Sequence, residues 1–259
     1  MKYTVLTLFP EFCDAYFSSS IMAKALARGI VEYKAVNIRD YAFDRHRSCD
    51  DAPYGGGPGM LMLAEPLGRA FEAVGIKPRV NSPEAVPEHA PRVIYLSPSG
   101  RPFNQALAAE LAREKELVLL AGRYEGVDQR IIDLYVDDEI SVGDYVLSSG
   151  ELAALILIDA TFRLVEQVIT PASLEEESFD RGLLEYPQYT RPEIYATLRV
   201  PEVLLSGHHE NIRRWRLEKR IEKTLALRPD LIHKGTCLFD DEVLKIIEKK
   251  RLAAGEWPD

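Results

Sequence analysis

The sequence is poor in several features that mark common protein classes. Its 259 residues include three cysteines, Cys13, Cys49 and Cys237, an odd number and widely scattered. Such a set makes neither a disulfide frame nor a zinc-spaced cluster, and it points to a reducing, cytoplasmic setting. Long hydrophobic runs are missing. The densest, Leu152 to Ile158, falls well short of the roughly 20 apolar residues that cross a bilayer, and Asp159 closes it. No membrane partner is expected. The apolar stretch after Met1 is interrupted by Thr4 and Thr7 and followed by no small-residue cleavage pattern, so no signal peptide is expected either.

Excess positive charge is absent too. A net charge of -9 argues against a nonspecific polyanion binder. The balance is uneven, −11 over residues 1–190 against +2 over 191–259, so basic residues gather toward the C-terminal end. The glycines at 55–59 lack the Lys-Ser/Thr of a P-loop. Their spacing also misses the dinucleotide fingerprint, which disfavours a nucleotide-binding dehydrogenase. His46, His208 and His209 make no metal spacing.

What is present is an alternation of strand and helix patterns. Tyr3 to Phe9 alternates in β-formers, and Pro10 opens a helix pattern from Glu11 to Arg28. Further strands are expected at Val31 to Ile38, Arg92 to Leu96 and Leu117 to Ala121. Helices are expected at Glu65 to Ala73, Asn104 to Glu114 and Val127 to Tyr135. This order reads as α/β with a mainly parallel sheet. Pro78 to Pro91, with four prolines, reads as a surface loop. The segment from Thr170, with Glu175, Glu176 and Glu177 and three prolines before Tyr195, reads as a linker. Helices at Asn211 to Leu227 and Asp240 to Leu252 make a small C-terminal helical module. The division is therefore 1–169, 170–190 and 191–259.

Four segments carry candidate chemistry. Pro53-Tyr54-Gly55-Gly56-Gly57-Pro58-Gly59-Met60 can present backbone N–H groups or admit a ligand close to the main chain, and equally suits a surface loop. Leu96-Ser97-Pro98-Ser99-Gly100 and Gly122-Arg123-Tyr124-Glu125-Gly126 each follow a strand. Ligands of open α/β sheets bind off the carboxyl ends of strands, so these turns suggest a shared pocket as readily as plain connections. Ser141 to Leu152 alternates small and apolar residues before an apolar helix. It suits either a backbone-lined adenine groove or a packed bulge.

Taken together with Asp44-Arg45-His46-Arg47, Gln188-Tyr189-Thr190-Arg191-Pro192-Glu193 and Val203 to His209, these blocks resemble the tRNA (guanine-37 N1)-methyltransferases in content, order and spacing. The match spans essentially the whole chain. The resemblance implies an α/β methyltransferase domain with a trefoil knot, which pattern reasoning would have excluded. It also implies S-adenosylmethionine as methyl donor, and tRNA with guanine 36 and guanine 37 as substrate. A homodimer with interfacial sites follows in the same way, as does a role for magnesium, with Glu125 as candidate ligand.

Carried over residue by residue, the cofactor site takes Tyr95, Leu96, Ser97, Gly122, Tyr124 and Glu125. It continues with Val142, Gly143, Asp144, Tyr145, Val146, Leu147 and Gly150. Ser149 stands where the family commonly has a second glycine. The family's base is an aspartate in Asp-Ser-Phe; here the triplet is Glu177-Ser178-Phe179. N1 of guanine bears a proton that a base must take, and a donor at O6 stabilises the charge that builds there. Glu177 matches the first role and Arg163 the second. Glu175 and Glu176, if near, raise the proton affinity of Glu177, and Asp180 is the substitute base. RNA contact falls to His46, Gly57 and Gly59, and to the basic helix residues Arg213, Arg214, Arg216, Lys219 and Arg220. That helix also reads as amphipathic, with Ile212, Trp215, Ile221 and Leu225 toward a core. The competing readings are a knotted methyltransferase of another nucleoside and a non-catalytic tRNA-binding protein.

Overall fold

The computed structural model describes residues 1–79, 90–170, 177–233 and 239–254. Cys237, Glu175, Glu176 and most of the Pro78 to Pro91 loop lie outside them. The chain divides into two compact units, Met1–Ile169 and Thr170–Asp259.

The first unit is built on a five-stranded parallel sheet: β1 (Lys2–Thr7), β2 (Glu32–Asn37), β5 (Arg92–Pro102), β6 (Glu116–Leu120) and β7 (Asp138–Ser141). Their spatial order is β2-β1-β6-β5-β7, and every neighbouring pair is parallel. Two short strands, β3 (Asp50–Asp51) and β4 (Leu61–Met62), pair antiparallel apart from it. Both faces of the sheet are covered, and the side-chain alternation assigns each residue to a face. Tyr3, Val5, Ile94, Leu117 and Leu119 pack with the helix α6 (Gly150–Phe162) in one cluster. Leu6, Val93, Tyr95, Val118 and Leu120 pack on the other side with Leu67, Phe71, Ile131 and Tyr135. The last four come from α3 (Ala64–Ala73) and α5 (Gln129–Tyr135).

Two expectations are corrected here. The helix expected from Glu11 to Arg28 is two, α1 (Pro10–Phe17) and α2 (Ser20–Ala27). Ser18 and Ser19 donate their hydroxyls back to the carbonyls of Ala15 and Tyr16, each at 2.9 Å, and Ser20 takes a positive φ of 53°. These local bonds satisfy the last turn and let the chain leave the helix. Strand β7 was not expected at all, because Asp138-Glu139 masks its short apolar pattern. Elsewhere the alternation holds: α4 (Gln105–Leu111) starts where Asn104 accepts a 3.0 Å bond from the Leu107 amide, an ordinary N-cap.

The second unit carries a hairpin, β8 (Ile194–Tyr195) with β9 (Leu198–Arg199). Its helices are α7 (Glu202–Leu205), α8 (His209–Leu227), α9 (Asp230–His233) and α10 (Asp241–Ala254). Its core joins Ile221 of α8 to Val243 and Ile247 of α10 and to Leu183. Leu183 and Leu184 fall in the stretch expected to be linker, and both are buried. No helix among the described residues is long and apolar enough to cross a membrane.

Candidate active site

Three segments, one a bulge within β5 and two loops that leave the carboxyl ends of β6 and β7, border an open cleft of about 180 Å³. The first, where β5 bulges after Leu96, supplies Tyr95 to Pro98, the second Gly122 to Gly126, and the third Ser141 to Gly143 with Tyr145 to Gly150. The order of the sheet explains why they meet: β7, β5 and β6 are consecutive neighbours, so the three segments lie side by side.

Main chain dominates the cleft's waist. The Gly150 amide donates to the Gly122 carbonyl at 2.8 Å, tying the third loop to the second. A Cβ at Gly150 would stand 2.5 Å from the Gly122 nitrogen, a closeness that only glycine allows. Tyr95 is 7% exposed and packs beside Gly122, and burial raises its phenol above the ordinary tyrosine range.

Tyr124 adopts a φ of 59°, an uncommon choice for a bulky residue that marks a held turn. Its phenol is engaged by Asp50 and Arg39, and burial together with Asp50 raises its pKa. The next residue, Glu125, donates its amide to the Met60 carbonyl at 3.0 Å, and Met62 donates to Gly126 at 2.9 Å. The glycine loop is thereby laid against the second turn. At Gly59, with φ of 90°, an added Cβ would meet Glu125 Cγ at 2.3 Å. Gly57 is in the left-handed region as well, and Tyr54 is fully exposed. His46 sits in a turn organised by Asp44, whose carboxylate accepts from the His46 and Ser48 amides and the Ser48 hydroxyl. The Ser48 bonds, chiefly, lower the Asp44 pKa.

Of the cofactor residues expected from sequence, all but Asp144 line the cleft. Ser149 lines it too and is 9% exposed. The sequence reading missed Arg123, which lines the cleft from the middle of the second turn. Its only signal was its place between the glycine and tyrosine already singled out. The described residues hold no group of three His, Cys, Asp or Glu that could bind a metal.

Arg163 caps the C-terminal end of α6 in the first unit, and Glu177 lies in the second, partly exposed. Phe179 follows with a φ of 74°, its amide bound to the Leu183 carbonyl at 2.7 Å. The basic helix is less free than its sequence suggests. Arg213 is held by Glu210 and by Glu242 of α10, both through short ion pairs. Arg214 pairs with Glu218 and Lys219 with Glu222, while Arg216 lies 4.8 Å over the Tyr186 ring. Arg220 departs from the expectation of RNA contact. It is 5% exposed and donates to the Leu184 carbonyl, because position 220 shares the inward face of α8 with Ile221 and Thr224.

Comparison with known proteins follows the same lines. Residues 1–234 match the family model described as tRNA (Guanine-1)-methyltransferase TrmD. The chain belongs to this family, and it is a methyltransferase. It is 59% identical over 251 residues to the tRNA (guanine-N(1)-)-methyltransferase of Treponema denticola, covering 96% of this chain and 98% of that protein. It is 57% identical to the protein of the same name from Treponema pallidum, covering 90% of this chain and 88% of the relative. It is 54% identical to that of Borreliella burgdorferi, with 89% and 92% covered.

Proposed function

We propose that this methyltransferase transfers a methyl group from S-adenosylmethionine to N1 of guanine 37 in tRNA. The observation that carries the reading is the backbone-lined cleft at the bulge of β5 and the ends of β6 and β7, where Gly150 and Gly122 approach too closely for any side chain. Main-chain groups along the three segments read an adenine edge, and the apolar wall of Tyr95, Leu96, Ile140 and Leu147 covers its faces. The bound sulfonium supplies an electrophilic methyl group there.

The protein's own residues then manage the proton and the charge. Glu177 accepts the N1 proton, its extra methylene relative to aspartate lengthening its reach. Arg163 donates to O6 as negative charge builds on it. Exposed Arg214, with Arg213 and Lys219 of α8, holds phosphates of the anticodon arm, and His46, Gly57 and Gly59 meet RNA at the first unit. Arg220 is left out of this set.

The family resemblance further supports a trefoil knot around the cleft loops, a first unit for cofactor and a second for tRNA, and a homodimer. An apolar groove lined by Phe9, Phe12, Tyr16, Leu152 and Leu155 favours the dimer, with Phe12 44% and Leu152 41% exposed. Buried free thiols at Cys13 and Cys49 fit a cytoplasmic setting.

The deciding experiment is methyl transfer from labelled S-adenosylmethionine to tRNA transcripts with guanine or adenosine at position 37. Label recovered as 1-methylguanosine from the first transcript alone is the expected result. Transfer to another nucleoside, or tRNA binding without transfer, sinks the proposal.

A further inference from the structure

The first turn of α6 looks three ways. Gly150 and Ala153 line the cofactor cleft, Leu152 and Leu155 line the apolar groove, and between them Glu151 is wholly buried. A buried carboxylate needs partners, and its partners here form a closed circuit. Thr7, the last residue of β1, donates its hydroxyl to Glu151 Oε1 at 2.6 Å. The same hydroxyl oxygen accepts the Phe9 amide at 2.9 Å. On the other side Arg123 Nε stands 3.2 Å from Glu151 Oε2. The Arg123 guanidinium then lies 4.3 Å over the Phe9 ring, returning to the start. Neither Arg123 Nε nor Glu151 Oε2 has a well-aligned hydrogen bond to any described residue, so the contact is one of charge. Arg123 lines both the cleft and the groove.

We propose that Glu151 is a positioning residue: through Arg123 it sets the second cofactor loop against the third and anchors both to β1. The proposal rests on the reading of the cleft as the S-adenosylmethionine site. Glu151 itself does not reach the cleft. Arg123 is the link of the circuit that both touches Glu151 and borders the cleft, so the effect of the carboxylate passes through it. Removing the carboxylate charge leaves a half-buried guanidinium without its counter-charge, and the loop that carries it relaxes.

The test is calorimetric titration with S-adenosylhomocysteine of the wild-type protein, Glu151→Gln, Arg123→Met and the double variant. Glu151→Gln is expected to bind about tenfold more weakly, the cost of one charged contact. In the Arg123→Met background the same change is expected to add nothing. Losses that multiply in the double variant overturn the proposal, as does wild-type affinity in Glu151→Gln. If Glu151→Gln does not fold, Thr7→Val serves instead. It keeps the shape, removes the hydroxyl, and is expected to weaken binding only while Arg123 is present; unchanged affinity overturns the proposal. A wild-type protein that fails to bind the probe rejects the cofactor reading itself, an outcome distinct from the others.

Discussion

Replacing Gly150 by alanine tests the cleft's central feature. The new methyl would stand 2.5 Å from the Gly122 nitrogen and 2.8 Å from the Ala121 carbonyl carbon and Cα, all backbone atoms that cannot rotate away. Ordinary contact begins at 3.4 Å, so the start of α6 and the end of β6 must part by about 0.9 Å. Overpacking of this kind costs about 1–3 kcal/mol. The stretched Gly150–Gly122 hydrogen bond adds about 1 kcal/mol, and alanine's better helix propensity returns up to about 1 kcal/mol. The net destabilisation is about 2 kcal/mol, equivalent to a melting temperature lower by about 4–8 °C. The same separation widens the waist that grips the cofactor, and S-adenosylhomocysteine affinity is expected to fall at least about tenfold. Thermal melting and calorimetric titration read the two effects separately. A Gly150→Ala protein that melts and binds like the wild type refutes the argument.

Further outcomes follow from other residues. Glu177→Gln is expected to abolish methyl transfer while S-adenosylhomocysteine binding stays within a few-fold; retained turnover removes Glu177 as the base. Arg214→Ala should lower tRNA affinity and reduce the slope of log affinity against log salt by about one. Arg220→Met should leave that slope unchanged and lower the stability of the second unit, and the reverse pattern would contradict its buried position. Cys13 is fully buried, and desolvation pushes its thiol up to about 12. Folding therefore keeps it protonated: its contribution is full below the unfolded value of 9.0 and is lost as pH rises toward about 12. Native protein at pH 8 is expected to show no alkylation of Cys13 by mass spectrometry, and modification only after unfolding; rapid native labelling would count against the burial.

Much of the site was legible because the determinants are local. Gly122 and Gly126, in the turn that follows β6, mark a place where ligands of parallel sheets bind, and the block from Ser141 to Leu152 carries its own spacing. The amphipathic alternative for α8 was legible too, but the face assignment was not. Arg220 reads as one more cation in a basic run until Ile221, Thr224 and Leu184 show which way it points.

The sequence alone determined the alternating α/β order, the glycine-bearing turns and the family, because propensity, periodicity and motif spacing act between near neighbours in the chain. The tertiary structure alone decided which side chains complete the site. Thr7 and Glu151 are 144 positions apart, yet the Thr7 hydroxyl donates to the Glu151 carboxylate at 2.6 Å, and nothing in either residue's neighbourhood announces the other. Their meeting depends on β1 and α6 packing on one face of the sheet, a product of the whole core and of no single segment.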